Sequence, residues 1–166
     1  MEILKIATEW AKAEVFSARF FILFAILFLV ASIGFWQLGK TEMAKAYIIP
    51  TLVAGVLLMA VGLGIFFTNK ARITSFAEAY NESPTEFIRS EITRTEKSMG
   101  EYSTIVFKVV PFIMVAAALL IVFVDKPIWR ATCITVIAMM VVILLVDSNA
   151  NERIITYRNQ LELANK

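Results

Sequence analysis

Four runs without a single Asp, Glu, Lys or Arg divide this chain, and no other feature limits its fold as strongly. About 20 apolar helical residues, rising 1.5 Å each, cross a ~30 Å hydrocarbon layer. FFILFAILFLVASIGFWQLG lies between Arg19 and Lys40, and AYIIPTLVAGVLLMAVGLGIFFTN lies between Lys45 and Lys70. Both are long enough to span. VVPFIMVAAALLIVFV, between Lys108 and Asp125, is shorter, but Lys108 can snorkel and YSTIVF before it extends the helix. ATCITVIAMMVVILLV, between Arg130 and Asp147, needs Trp129 or a thinned bilayer to complete it. The expected spans are therefore about 19–38, 47–68, 103–124 and 129–147.

Composition agrees. The chain is 59% hydrophobic and 18% charged, with mean hydropathy +0.74, whereas a soluble domain is nearer ~45–50% apolar and ~25% charged. The expected fold class is all-α: an integral membrane four-helix bundle made of two tandem hairpins, one membrane domain over residues 1–166. A cleaved leader is the competing reading for the first run. The segment before it is acidic as well as basic, the run exceeds the usual ~7–15 residues, and no clear A-x-A site follows, so it reads as a retained span.

Orientation follows from the basic residues. Segments 1–19, 69–108 and 147–166 carry 12 Lys and Arg, whereas the loops at 36–46 and 125–130 carry 4. Both termini and the central segment are expected in the cytoplasm, of a bacterial inner membrane. Trp36, Tyr47 and Trp129 then fall together at the opposite boundary, where amphipathic rings prefer the headgroup level.

The chain also resembles itself. A shift of 91 residues aligns EVFSARFFILFA with IVFKVVPFIMVA, and a shift of 81 aligns Arg72-Ile73-Thr74-Ser75-Phe76 with Arg153-Ile154-Ile155-Thr156-Tyr157. Each half reads as a pre-span helix, two spans, and an R-I-x-x-aromatic exit. An even number of spans separates the copies, so the repeats are parallel.

The polar segments read as helices. MEILKIATEWAKAEVFSARF is amphipathic and is expected to lie at the inner interface before the chain turns into the first span. Residues 70–102 read as a helical hairpin broken at Asn81–Pro84, because Ser83-Pro84-Thr85-Glu86 has the form of a capping box with Pro at the first helical position. Its stripe of Ile88, Ile92, Thr95, Met99 and Tyr102 is expected to pack on Ile73, Phe76 and Tyr80, while Glu91/Arg94 and neighbouring pairs read as surface contacts.

Several function classes are disfavoured. The chain has no His and one Cys, Cys133, so the usual metal-ligand sets and any intrachain disulfide are missing. No metal or cofactor is expected. Charges are nearly balanced and interleaved, which disfavours a nucleic-acid partner. No ionisable residue lies in the middle of a run, as a proton relay would require, and no catalytic motif occurs. Glu14, Arg19, Lys108 and Asp147 read as boundary charges, partners for one another. Small residues mark helix-packing or oligomer faces: Gly55, Gly62 and Gly64 in the second span, Ala116 and Ala117 in the third. Arg72, Phe76, Arg153 and Tyr157 are the candidate residues for cytoplasmic interaction.

The expected function is a small non-enzymatic membrane protein acting as an interaction, regulatory or accessory subunit, in contact with lipids and with a membrane-protein partner or further copies of itself. A homo-oligomeric pore or channel is the alternative, and a membrane enzyme or lipid-handling protein is a third class.

Overall fold

The computed structural model of the chain describes residues 2–165 and is helical almost throughout. α1 runs Glu2–Leu38, a short α2 runs Glu42–Ala46, α3 runs Ile48–Glu82, α4 runs Pro84–Glu101, α5 runs Val110–Phe123 and α6 runs Pro127–Ala164. A π-helical segment, Tyr102–Val109, joins α4 to α5 without a break. Four stretches, Glu2–Leu38, Glu42–Glu82, Pro84–Phe123 and Pro127–Ala164, are long and apolar enough to cross a membrane.

Their length sets the architecture. A helix of 37 residues is roughly 55 Å long at 1.5 Å per residue, well beyond the ~30 Å of hydrocarbon. Each helix is therefore long enough to span and then continue. The continuations gather at the end that holds both termini and the turn at Ser83, forming a polar head. There Ala7, Trp10 and Ala11 of α1, Phe76 of α3, Phe87 and Ile88 of α4, and Ile154, Tyr157 and Leu161 of α6 make one buried cluster. The stripe of α4 meets Ile73 and Tyr80 as its spacing predicts, with Ile92, Met99 and Tyr102 partly buried against the same cluster.

The N-terminal segment corrects one expectation. It does not turn at the interface but forms the first turns of α1, and Ala7 and Ala11 are fully buried. The apolar stripe read as membrane-facing is instead the wall of the head core, because three other helices extend equally far and offer it apolar partners.

Local chemistry explains the breaks. Ser83 caps α4, its backbone extended at φ −154° and ψ 98° and its Oγ accepting from the Glu86 N–H at 3.4 Å. Pro84 follows at a position that needs no N–H. Thr41 caps α2 in the same way, accepting from the Ala44 N–H at 3.1 Å. At the end of the π segment the Val110 N–H reaches back five residues to the Ile105 carbonyl. The next residue, Pro111, has no N–H to continue the ordinary ladder, so the wide turn lies where that ladder is already broken.

Packing is uneven. α1 and α3 lie against each other along their length, and α6 touches both, whereas α5 packs on α6 and the π segment and approaches neither α1 nor α3. The α1–α3 seam is close because of glycine. A Cβ on Gly55 would sit 2.8 Å from Leu29 side-chain carbons, and one on Gly62 would sit 2.9 Å from Phe21 Cβ and 3.1 Å from the Ile22 backbone nitrogen. Ser32 adds a cross-helix bond, its Oγ donating to the Ile48 carbonyl at 2.8 Å. Gly64, by contrast, has nothing within 4 Å. Ala117 is buried, and Ala116 is half-buried.

Candidate functional site

Where the spans give way to the head, the charges converge. Arg153 of α6 donates from Nε and Nη2 to Glu14 Oε1 of α1, at 3.1 and 3.0 Å, and from Nη2 to Ser17 Oγ at 2.7 Å. The expectation that the boundary charges pair among themselves fails here. Glu14 is matched by Arg153 rather than Arg19, because five residues of α1 put the two on different faces: Glu14 faces α6 and is buried, while Arg19 is exposed and lies over the Phe16 ring at 6.0 Å.

A second knot lies above it. Arg94 grips Glu91 with two bonds, Nε to Oε1 at 2.8 Å and Nη2 to Oε2 at 2.6 Å, and Tyr157 donates its hydroxyl to the same Oε2 at 2.9 Å. Glu91 and Arg94, expected as a surface pair, are thus a buried one. The four-helix head encloses the face of α4 on which Glu91 stands. Trp10 completes the stack: its ring lies 5.1 Å from Tyr157 at an interplanar angle of 10°, with the Arg94 guanidinium 4.4 Å from the ring centroid and that of Arg72 at 5.9 Å. Its indole N–H is buried and meets no acceptor.

The electrostatics follow burial. Desolvation pushes the Glu14 carboxyl above its ordinary value, against the pull of Arg153. Burial lowers Arg72, and repulsion from Arg94 adds to it. For Arg94, burial alone would do the same, but the bonds to Glu91 outweigh it and the guanidinium is held above its ordinary value. Burial likewise raises the phenols of Tyr102 and Tyr157, so both remain protonated donors.

These groups surround a cavity of about 410 Å³ that draws on α1, α3, α4, the π segment and α6. Arg72, Arg94, Glu14 and Asp147 bring charge to it, and Trp10 and Tyr102 bring aromatic donors. Phe21 closes its inner end, belonging to an apolar cluster with Ala25, Leu58, Val142 and Val146. A smaller hollow between Ile65, Ser98, Tyr102, Ile105 and Asp147 adjoins it on the π-segment side.

The candidate residues fall as follows. Arg153 ties α6 to α1, and Arg72 lines the cavity and bonds Asn69 Oδ1 at 2.8 Å. Phe76 and Tyr157, at matching places in the two R-I-x-x-aromatic exits, both enter the head core. Gly64 borders the cavity, while Gly55 and Gly62 face α1. Ala116 and Ala117 stand away from it on α5. Sequence reasoning missed Trp10, Glu91, Arg94, Tyr102 and Asn69 as members of the site. The available signal was Glu91 and Arg94 lying on the apolar side of α4, three residues from Ile88 and seven from Phe87 respectively. Among the described residues no group of His, Cys, Asp and Glu could hold a metal ion. Comparison of the chain with protein-family models, curated proteins and solved structures found no match.

Proposed function

We propose that this protein is a non-enzymatic membrane subunit that presents a cytoplasmic helical platform to a protein partner, with both termini and the Ser83 turn on the cytoplasmic side and the two hairpins arranged in tandem. One observation carries this reading: the head is a direct continuation of the spans, joined by no flexible linker and pinned by the Glu14–Arg153 ion pair between α1 and α6 and by the buried Tyr157–Glu91 hydrogen bond between α6 and α4. Such a platform holds a fixed surface relative to the bilayer. That surface interleaves acids and bases, as at Arg158, which bridges Glu96 at 3.0 Å and Glu162 at 2.7 Å, and mixed charge suits protein contacts better than polyanions.

Photo-crosslinkers test it in native membranes. At the exposed head positions Arg89 and Thr156 they should give one discrete adduct with a different protein, while Thr41 and Lys126 at the far end should give none. The reading is overturned if only adducts between copies form and the purified protein conducts in a planar bilayer. That pair of results would establish the pore alternative, with the path between copies, since the Phe21 cluster fills the interior of one chain below the cavity.

A further inference from the structure

The cavity holds two charged side chains, Arg72 and Asp147, that form no ion pair among the described residues. Glu14 is answered by Arg153, and Arg94 by Glu91. Arg72 has only the neutral amide of Asn69 as a hydrogen-bond partner, and Asp147, half-buried, has no hydrogen bond or ion pair among the described residues. Trp10, less than a tenth exposed, adds a buried N–H without an acceptor. A ligand that satisfies this set carries an anionic group for Arg72 and a cationic group with N–H donors for Asp147. A singly charged ligand would answer one of the two and leave the other without a partner, and a neutral one would leave both.

The surroundings specify where such a ligand resides. On the α3 side the lining includes Ala60, Gly64 and Thr68, one turn apart and all exposed, which makes a low stretch of wall. Opposite stand Tyr102 and, in the adjoining hollow, Ile105. Because α5 touches only α6 and the π segment, no helix contact closes the space between α3 and α5, which leaves a cleft alongside the apolar spans. Val61 and Ile65, inside the second apolar run, and Arg72, outside it, line the same space, so it straddles headgroup depth.

We infer that this cavity binds one phospholipid bearing a primary amine, with its phosphate at Arg72 and Trp10, its ammonium at Asp147, and its acyl chains in the cleft between α3 and α5. The inference needs the membrane setting but not the protein-partner reading, and either can fail alone.

Native mass spectrometry of the full chain released from nanodiscs measures it. Discs contain equal amounts of phosphatidylethanolamine, phosphatidylcholine and phosphatidylglycerol. The first should be retained about tenfold over the second, since a charge-assisted hydrogen bond to Asp147 is worth about that factor and a trimethylated amine cannot donate it. Asp147→Asn should erase that preference while retaining lipid, and Arg72→Gln should lower retention of all three alike. A purely structural role for either residue would move stability and leave the headgroup ranking intact. Equal retention of the three lipids by the wild-type protein overturns the proposal without recourse to any variant, as does an unchanged ranking in Asp147→Asn. Free phosphoethanolamine that protects against heat as well as the lipid does would overturn the acyl part and assign a soluble ligand instead. A protein helix crosslinked in the cleft would overturn the lipid as occupant.

Discussion

α3 presents two contrasting sides in the membrane region. Against α1 it is packed backbone to side chain, with Gly55 and Gly62 placed where any Cβ would collide. Toward α5 it has no contact at all, and its small residues Ala60 and Gly64 face open space. Small residues in an apolar helix therefore carry two meanings here. Some let another helix in, and others keep a space clear. The closed seam holds along its length by close packing, whereas α6 joins it through Val142 and Val146 on the Phe21 cluster and, at the head, through polar links to α1 and to α4.

Cutting those links should produce the largest effect. Glu14→Ala leaves Arg153, mostly buried, with Ser17 as its remaining acceptor, and should cost about 3–5 kcal/mol in detergent unfolding. Hydrogen exchange should rise in α6 and the head while the α1–α3 seam stays protected. Replacing both partners, Glu14→Leu with Arg153→Met, should recover most of that loss, because desolvation of the pair is then avoided. Loss of protection across α1 and α3 as well would show that the two sides are not held separately.

Tyr157→Phe keeps the ring stacked on Trp10 and removes only the hydroxyl bonded to Glu91. A buried hydrogen bond to a carboxylate is worth about 1.5–3 kcal/mol, and Arg94 still satisfies Glu91, which puts the expected loss at the lower end. Thermal unfolding with near-ultraviolet dichroism checks both the loss and the retained stacking.

pH separates the head from the seam. Folding raises the Glu14 carboxyl above its ordinary 4.5, so the folded state binds more protons than the unfolded one between that value and the raised one. Its contribution therefore makes stability rise as pH falls through this window and decline as pH rises out of it. In Glu14→Gln that part of the slope should vanish. A titration of unfolding midpoint against pH in the two proteins isolates it, and identical slopes would rule Glu14 out as the titrating group.

The spans were legible because the bilayer demands length and apolarity, which one strand of text carries. The turn at Ser83 was legible too, since a capping box acts within four residues. The site was not. Glu14 and Arg153 are 139 residues apart, and the pairing depends on which face of α1 meets α6, a matter of three-dimensional packing. Trp10 read as the apolar face of an interfacial helix because hydropathy does not distinguish a lipid surface from three neighbouring helices. The π segment has no signature in the text beyond Pro111, the residue without an N–H just past its end.

The smallest effect decides what the glycines are for. Gly62→Ala places a methyl 2.9 Å from Phe21 Cβ and 3.1 Å from the Ile22 nitrogen, so α1 and α3 must part, at about 1–3 kcal/mol. Two residues on, Gly64→Ala meets nothing within 4 Å and gains the helix preference of alanine, about 0.5–1 kcal/mol in the opposite direction. Paired unfolding measurements should thus give opposite signs for the same chemical change on one helix. If both substitutions destabilise, the side of α3 that faces α5 is closed in the membrane, and the cleft that defines the open side does not exist there.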